Sequence, residues 1–211
     1  SYCMIAASFR MLGESLVLMA IVNMLMMSLF LLSTYVFFRK IGGRITATAC
    51  CLIYLVFFAF GHFTLVGNYN WVFPYSMSYV HGVTLAMFLM TFFQSAMVQP
   101  RSLYIGAAGA FFGLVLLTRM EVILAGSAAA IFCFVSLFVL HRPSWEKGMV
   151  WFGIFFICAS GSCLIFLLAF RAVLEPREVF FQIVGPFLFG AQGGAGQSLF
   201  YERITGIVNV W

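Results

Sequence analysis

Residues 15–38 read SLVLMAIVNMLMMSLFLLSTYVFF, residues 39–44 read RKIGGR, and residues 45–66 read ITATACCLIYLVFFAFGHFTLV. The first stretch is 24 residues with no charged side chain. About 20 mostly apolar residues suffice to cross a bilayer, so each flank of the basic, glycine-containing turn is long enough to span one. A helix that is apolar all round must be buried in a protein core or in lipid. The pattern therefore predicts two transmembrane helices joined by a short basic turn.

The same reading extends along the chain. A third span is expected at 77–98, stopped by Gln99-Pro100-Arg101, and a short Gly-rich fourth at 102–118, closed by Arg119-Met120-Glu121. A fifth, 122–140, runs into a polar loop from His141 to Lys147, and a sixth covers 149–170. The apolar stretch 180–190 is too short to span. With its flanks it makes 172–203 an interfacial or re-entrant region, and 204–211 has the makings of a further span. The expected fold is all-α, a polytopic transmembrane helix bundle of about six spans in one membrane domain, since barrel strands would alternate over about ten residues.

Composition supports this class and excludes others. Hydrophobic residues make up 64% of the chain and charged residues 8%, against roughly 45–50% and 25% in soluble domains. A mean hydropathy of +1.09 excludes a soluble enzyme, a nucleic-acid binder and a disordered tail. The six cysteines, Cys3, Cys50, Cys51, Cys133, Cys158 and Cys163, form no CxxC and lie mostly in apolar runs, so they read as packing residues rather than zinc ligands or a disulfide framework. No paired-His spacing supports a metal site, and no cofactor is indicated.

Charge sets the orientation. Arg39, Lys40, Arg44, Arg101, Arg142 and Lys147 fall on one side, and Arg10, Arg119, Arg171 and Arg177 on the other. The positive-inside rule puts the first set in the cytoplasm of a multi-pass membrane protein. The unusual polar residues then gather on the extracytoplasmic face.

Several of those residues suit a ligand. Arg119 offers a planar fork for a phosphate, and Glu121 a carboxylate two residues on. In a continuous helix the two would point apart, so either the helix breaks there or they serve different partners; snorkelling to lipid headgroups is the plainer alternative. Asn68, Tyr69, Asn70 and Tyr75, around Trp71 and Pro74, combine aromatic faces with amides in a way that suits carbohydrate hydroxyls, although Trp and Tyr at this depth also make an ordinary aromatic belt. His81 lies about one turn inside the third span, where a lone imidazole facing the bundle is more simply a satisfied packing residue than a base. Arg10 and Glu14, four apart, suit a helical surface pair. Gly109 and Gly113 form a GxxxG step, explained by close helix packing.

Three passages resemble the multispanning glycosyltransferases of the GT-C fold, which include bacterial relatives of protein O-mannosyltransferases and the lipid A aminoarabinose transferase. They are the span end and basic Gly turn of 36–47, the Asn70-Trp71-Val72-Phe73-Pro74-Tyr75-Ser76 stretch, and the Gly-rich run 109–121 that closes on Leu117-Thr118-Arg119-Met120-Glu121. The likeness covers roughly residues 10 to 140. It implies transfer of a sugar from a polyprenyl-phosphate-linked donor in the lipid to an acceptor on the extracytoplasmic side, with Arg119, Glu121 and Asn68, Tyr69, Asn70 and Tyr75 of the 68–75 loop binding donor or acceptor; His81 is a further candidate for substrate binding.

The family's acidic catalytic motif lies on a first extracytoplasmic loop, whereas this chain has no Asp and no such loop. The resemblance thus implies a fragment of a longer chain, inactive alone, with its base upstream of Ser1. Glu14 and Glu121 are the nearest carboxylates on the right side, and a divalent metal stays open for the full-length protein. A transporter or lipid flippase segment is the competing expectation.

Overall fold

The turn at 39–44 folds the first helix back on itself. The computed structural model describes residues 15–59 and 77–171, and within them the chain is helical with no strand. Helix α1, Leu16–Ile53, is 38 residues long and continues as a π-helix, Tyr54–Ala59. Straight, α1 alone would measure about 57 Å, nearly twice the roughly 30 Å hydrocarbon layer. It is not straight, because Gly43 sits at φ 79° and ψ −171°, a conformation essentially reserved for glycine.

Contacts across the turn show the reversal. Cys51 Sγ donates to the Leu31 carbonyl at 3.6 Å, and the Phe30 and Tyr54 rings lie 4.6 Å apart between centroids. The Thr46 hydroxyl donates to the Gly42 carbonyl at 2.7 Å and ties the turn. Helix α1 is therefore a hairpin, as the basic Gly turn predicts.

Helix α2, Met77–Val98, runs beside the first arm of this hairpin. The Ser33 and Thr91 hydroxyls share a buried hydrogen bond of 2.9 Å, Gln94 Nε2 donates to the Phe37 carbonyl at 3.0 Å, and Lys40 Nζ donates to Ser95 Oγ at 2.6 Å. These partners advance together in sequence, so the two helices are parallel. Three more helices follow: α3, Ser102–Val115; α4, Met120–His141; and α5, Trp145–Arg171.

The main apolar core lies among α2 to α5. Leu89, Phe93, Ile105, Leu137, Trp151 and Phe155 are buried together, with the Phe134 and Phe155 rings edge to face at 4.9 Å. Glycines let α3 meet α5 backbone to backbone: a Cβ at Gly109 would land on the Phe155 carbonyl, and one at Gly113 on the Ala159 carbonyl. This is the small-residue packing that helices use where lipid removes the hydrophobic drive between them. A smaller cluster of Met26, Met27, Phe30, Ala59 and Val80 holds the hairpin to α2. Large apolar side chains such as Ile45, Phe57, Leu103 and Phe132 remain exposed on the outside.

Among the described residues, four helical stretches are long and apolar enough to cross a membrane: Leu16–Phe57, Tyr79–Val98, Met120–His141 and Trp145–Ala169. The expected span at 102–118 is shorter than read. Helix α3 has 14 residues, about 21 Å, and 3₁₀-type bonds from Leu117 N to Leu114 O and Thr118 N to Val115 O end it. The expected loop from His141 to Lys147 shrinks to 142–144. Arg142 closes α4 in the left-handed conformation at φ 40°, and Glu146 falls in the first turn of α5, where a carboxylate complements the helix dipole. Lys147 then lies over the Trp151 ring.

The chain divides into two compact units, Ser1–Cys163 and Leu164–Trp211. Of the second, only 164–171 are described, as the last turns of α5. The expected elements at 172–203 and 204–211 lie outside the described residues.

Candidate functional site

The described turns divide into two chemically different ends. His141 Nε2 contacts the Met97 carbonyl at 2.8 Å, and with the Lys40–Ser95 bond this brings the turns at 39–44, 99–101 and 142–144 to one end. Arg39, Lys40, Arg44, Arg101, Arg142 and Lys147 are all exposed there, with Glu146 the one described acid. The opposite end carries the start of α2 and the break between α3 and α4.

That break positions Arg119. Apolar α3 stops at Val115, the Thr118 hydroxyl bonds back to the Val115 carbonyl at 2.7 Å, and Arg119 sits extended at φ −83° and ψ 151° as the cap of α4. Its side chain is half-buried and makes no capping hydrogen bond. Of the two arrangements weighed for Arg119 and Glu121, the structure has the helix break. Glu121 is exposed in the first turn of α4, where its charge favours the helix start by about 0.3–1 kcal/mol.

The turn packs directly on α2. A Cβ at Gly82 would stand 3.0 Å from Thr118 Oγ1 and 3.2 Å from Val122 Cγ1, so glycine is what lets the Arg119 turn approach. His81, the preceding residue, is 2% exposed. Neither of its ring nitrogens has a hydrogen-bond partner among the described residues. A buried polar group left unpaired costs about 1–3 kcal/mol, so an empty imidazole of this kind needs a reason.

His81 heads a polar seam that single residues did not reveal. Among the described residues every buried polar side chain, Asn23, Ser33, Thr34, His81, Thr84 and Thr91, lies on α1 or α2. Ser33 pairs with Thr91 at a separation of 58 in sequence, and Asn23 precedes His81 by the same number of residues. The signal was present as the spacing of His81, Thr84, Thr91 and Ser95 along one helix face, but matching it to Asn23 and Ser33 requires knowing which helix lies alongside.

Three of the residues expected to bind substrate, His81, Arg119 and Glu121, thus come to one end of the bundle. Asn68, Tyr69, Asn70 and Tyr75, and the candidate carboxylate Glu14, lie outside the described residues. Among the described residues no group of three or more His, Cys, Asp or Glu side chains is placed to hold a metal. The described cysteines are free thiols, with Cys163 donating to the Gly113 carbonyl at 3.1 Å, a packing role. No protein-family model, no curated protein and no solved structure matches this chain.

Proposed function

We propose that this chain is part of a membrane glycosyltransferase that takes a sugar from a polyprenyl-phosphate donor, on the face opposite its basic turns. The observation that carries this reading is the half-buried Arg119, held at a helix break with its side chain uncommitted to the cap. A guanidinium beside apolar helices suits the phosphate of a lipid whose chain lies in the bilayer. The resemblance of 109–121 to the closing turn of the GT-C Gly-rich span supports the same assignment. The basic excess at the other end supports an orientation in the bacterial plasma membrane with Arg119 facing out.

In this reading the two arms of α1, together with α2, α3, α4 and α5, make six spans. Helix α3 crosses with the help of its 3₁₀ exit, which rises farther per residue than an α-helix. Glu121, the one described carboxylate at this end, stabilises the start of α4 and stands near the donor without the surrounding loop of a catalytic base.

A lipid flippase or transporter is the second reading, and the buried polar seam between α1 and α2 favours it, since intramembrane polar residues mark substrate paths. Binding separates the two for Arg119. In detergent, the purified chain should bind polyprenyl-phosphate-sugar, Arg119→Ala should lose that binding, and Arg119→Lys should restore only part, because an ammonium lacks the bidentate fork. Undiminished binding by Arg119→Ala would remove Arg119 from the site and leave the seam as the stronger lead.

A further inference from the structure

We infer that His81 is a ligand-binding residue for the sugar part of the donor, reading neutral hydroxyls beside the phosphate site at Arg119. The inference rests on the donor reading above. Its own ground is an imidazole 2% exposed, with both nitrogens unpartnered among the described residues, on the residue adjoining the contact between α2 and the Arg119 turn.

The neighbourhood selects the ligand class. Thr84, one turn along α2, is 1% exposed and donates its hydroxyl proton to the Val80 carbonyl at 3.0 Å, which leaves its oxygen lone pairs as acceptors. Asn23, fully buried on α1, precedes His81 by the same 58 residues that separate the bonded pair Ser33 and Thr91. These groups are uncharged amide and hydroxyl, and no Lys, Arg, Asp or Glu is buried among the described residues. An anion buried at His81 would lack compensation, so the phosphate belongs with Arg119. A neutral imidazole has one donor and one acceptor nitrogen, and a hydroxyl can meet either. A polyhydroxylated ring therefore offers what the two ring nitrogens of His81 lack.

An unpartnered polar group is a cost to the fold when no ligand is bound, which separates this role from a structural one. His81→Phe fills the volume and removes both unpaired nitrogens, so its melting temperature in detergent should equal or exceed that of the wild type. Equilibrium binding should be measured with polyprenyl-phosphate-mannose, polyprenyl-phosphate-glucose and bare polyprenyl phosphate. The wild type should prefer at least one sugar-bearing lipid over the bare one. His81→Phe should weaken that lipid about tenfold, the worth of a lost hydrogen bond or two, and leave bare polyprenyl phosphate unchanged. His81→Gln, which retains a donor and an acceptor, should recover part of the preference. Equal affinity of the wild type for all three lipids, an equal loss for all three in His81→Phe, or a lowered melting temperature in that variant would overturn the assignment. If the wild type fails to bind even bare polyprenyl phosphate, the donor reading falls first and takes this one with it.

Discussion

At Gly43 no neighbouring atom lies within 4 Å of where a Cβ would stand, so the demand for glycine there is conformational alone. Gly43→Ala should cost about 1–3 kcal/mol, read as a lowered melting temperature in detergent with the lipid-binding end unaffected. Arg142 is the opposite case, a side chain held at φ 40° to close α4. Arg142→Gly should raise stability by about 1 kcal/mol, since glycine adopts the left-handed cap without a Cβ penalty; a fall would mean that the guanidinium itself holds this turn. Both positions stand out in the sequence as charges and glycines interrupting apolar runs. His81 is also visible as a lone imidazole in a span, but that neither ring nitrogen meets a partner among the described residues is a property of the packed helices.

Between elements, two kinds of contact hold the bundle, and their strengths differ. Gly109 and Gly113 sit against the α5 backbone, and backbone cannot rotate out of the way. Gly113→Val should therefore cost about 3 kcal/mol, at the upper end of overpacking losses. Across the α1–α2 seam the Thr91 hydroxyl bonds the Met87 carbonyl as well as Ser33, so it stays satisfied when Ser33 is removed. Ser33→Ala should cost only about 0.6 kcal/mol, the average for polar contacts between membrane helices. Thermal unfolding of the two variants side by side checks the contrast, and a larger loss for Ser33→Ala would contradict it. The GxxxG step was legible because two small residues four apart share a helix face. Its partner was not, because Phe155 and Ala159 contribute carbonyls rather than any distinctive side chain. The end of α3 is hidden in the sequence for a related reason: Leu116, Leu117 and Thr118 are apolar enough to continue a span, and only the turn hydrogen bonds show that the helix has ended.

Over the whole molecule, the hairpin, the shared level of the basic turns and the all-helical architecture follow from where charge interrupts apolar sequence, and these were readable from the start. The orientation argued from them predicts that a membrane-impermeant maleimide, applied to intact cells in a background lacking the native cysteines, labels Glu121→Cys and spares Gly43→Cys. The reverse pattern would turn the protein over and remove the proposed face. The central claim is that a polyprenyl-phosphate-linked sugar is held at the end of the bundle that carries Arg119. Photocrosslinking with a polyprenyl-phosphate-sugar that carries a photoreactive group next to its phosphate, followed by peptide mapping, tests this most directly. The label should fall on the start of α2 around His81 and on residues 116–122, and bare polyprenyl phosphate should compete it away. Label concentrated on the basic turns at 39–44, 99–101 and 142–144, or spread evenly over the lipid-facing sides of the helices, would contradict the account.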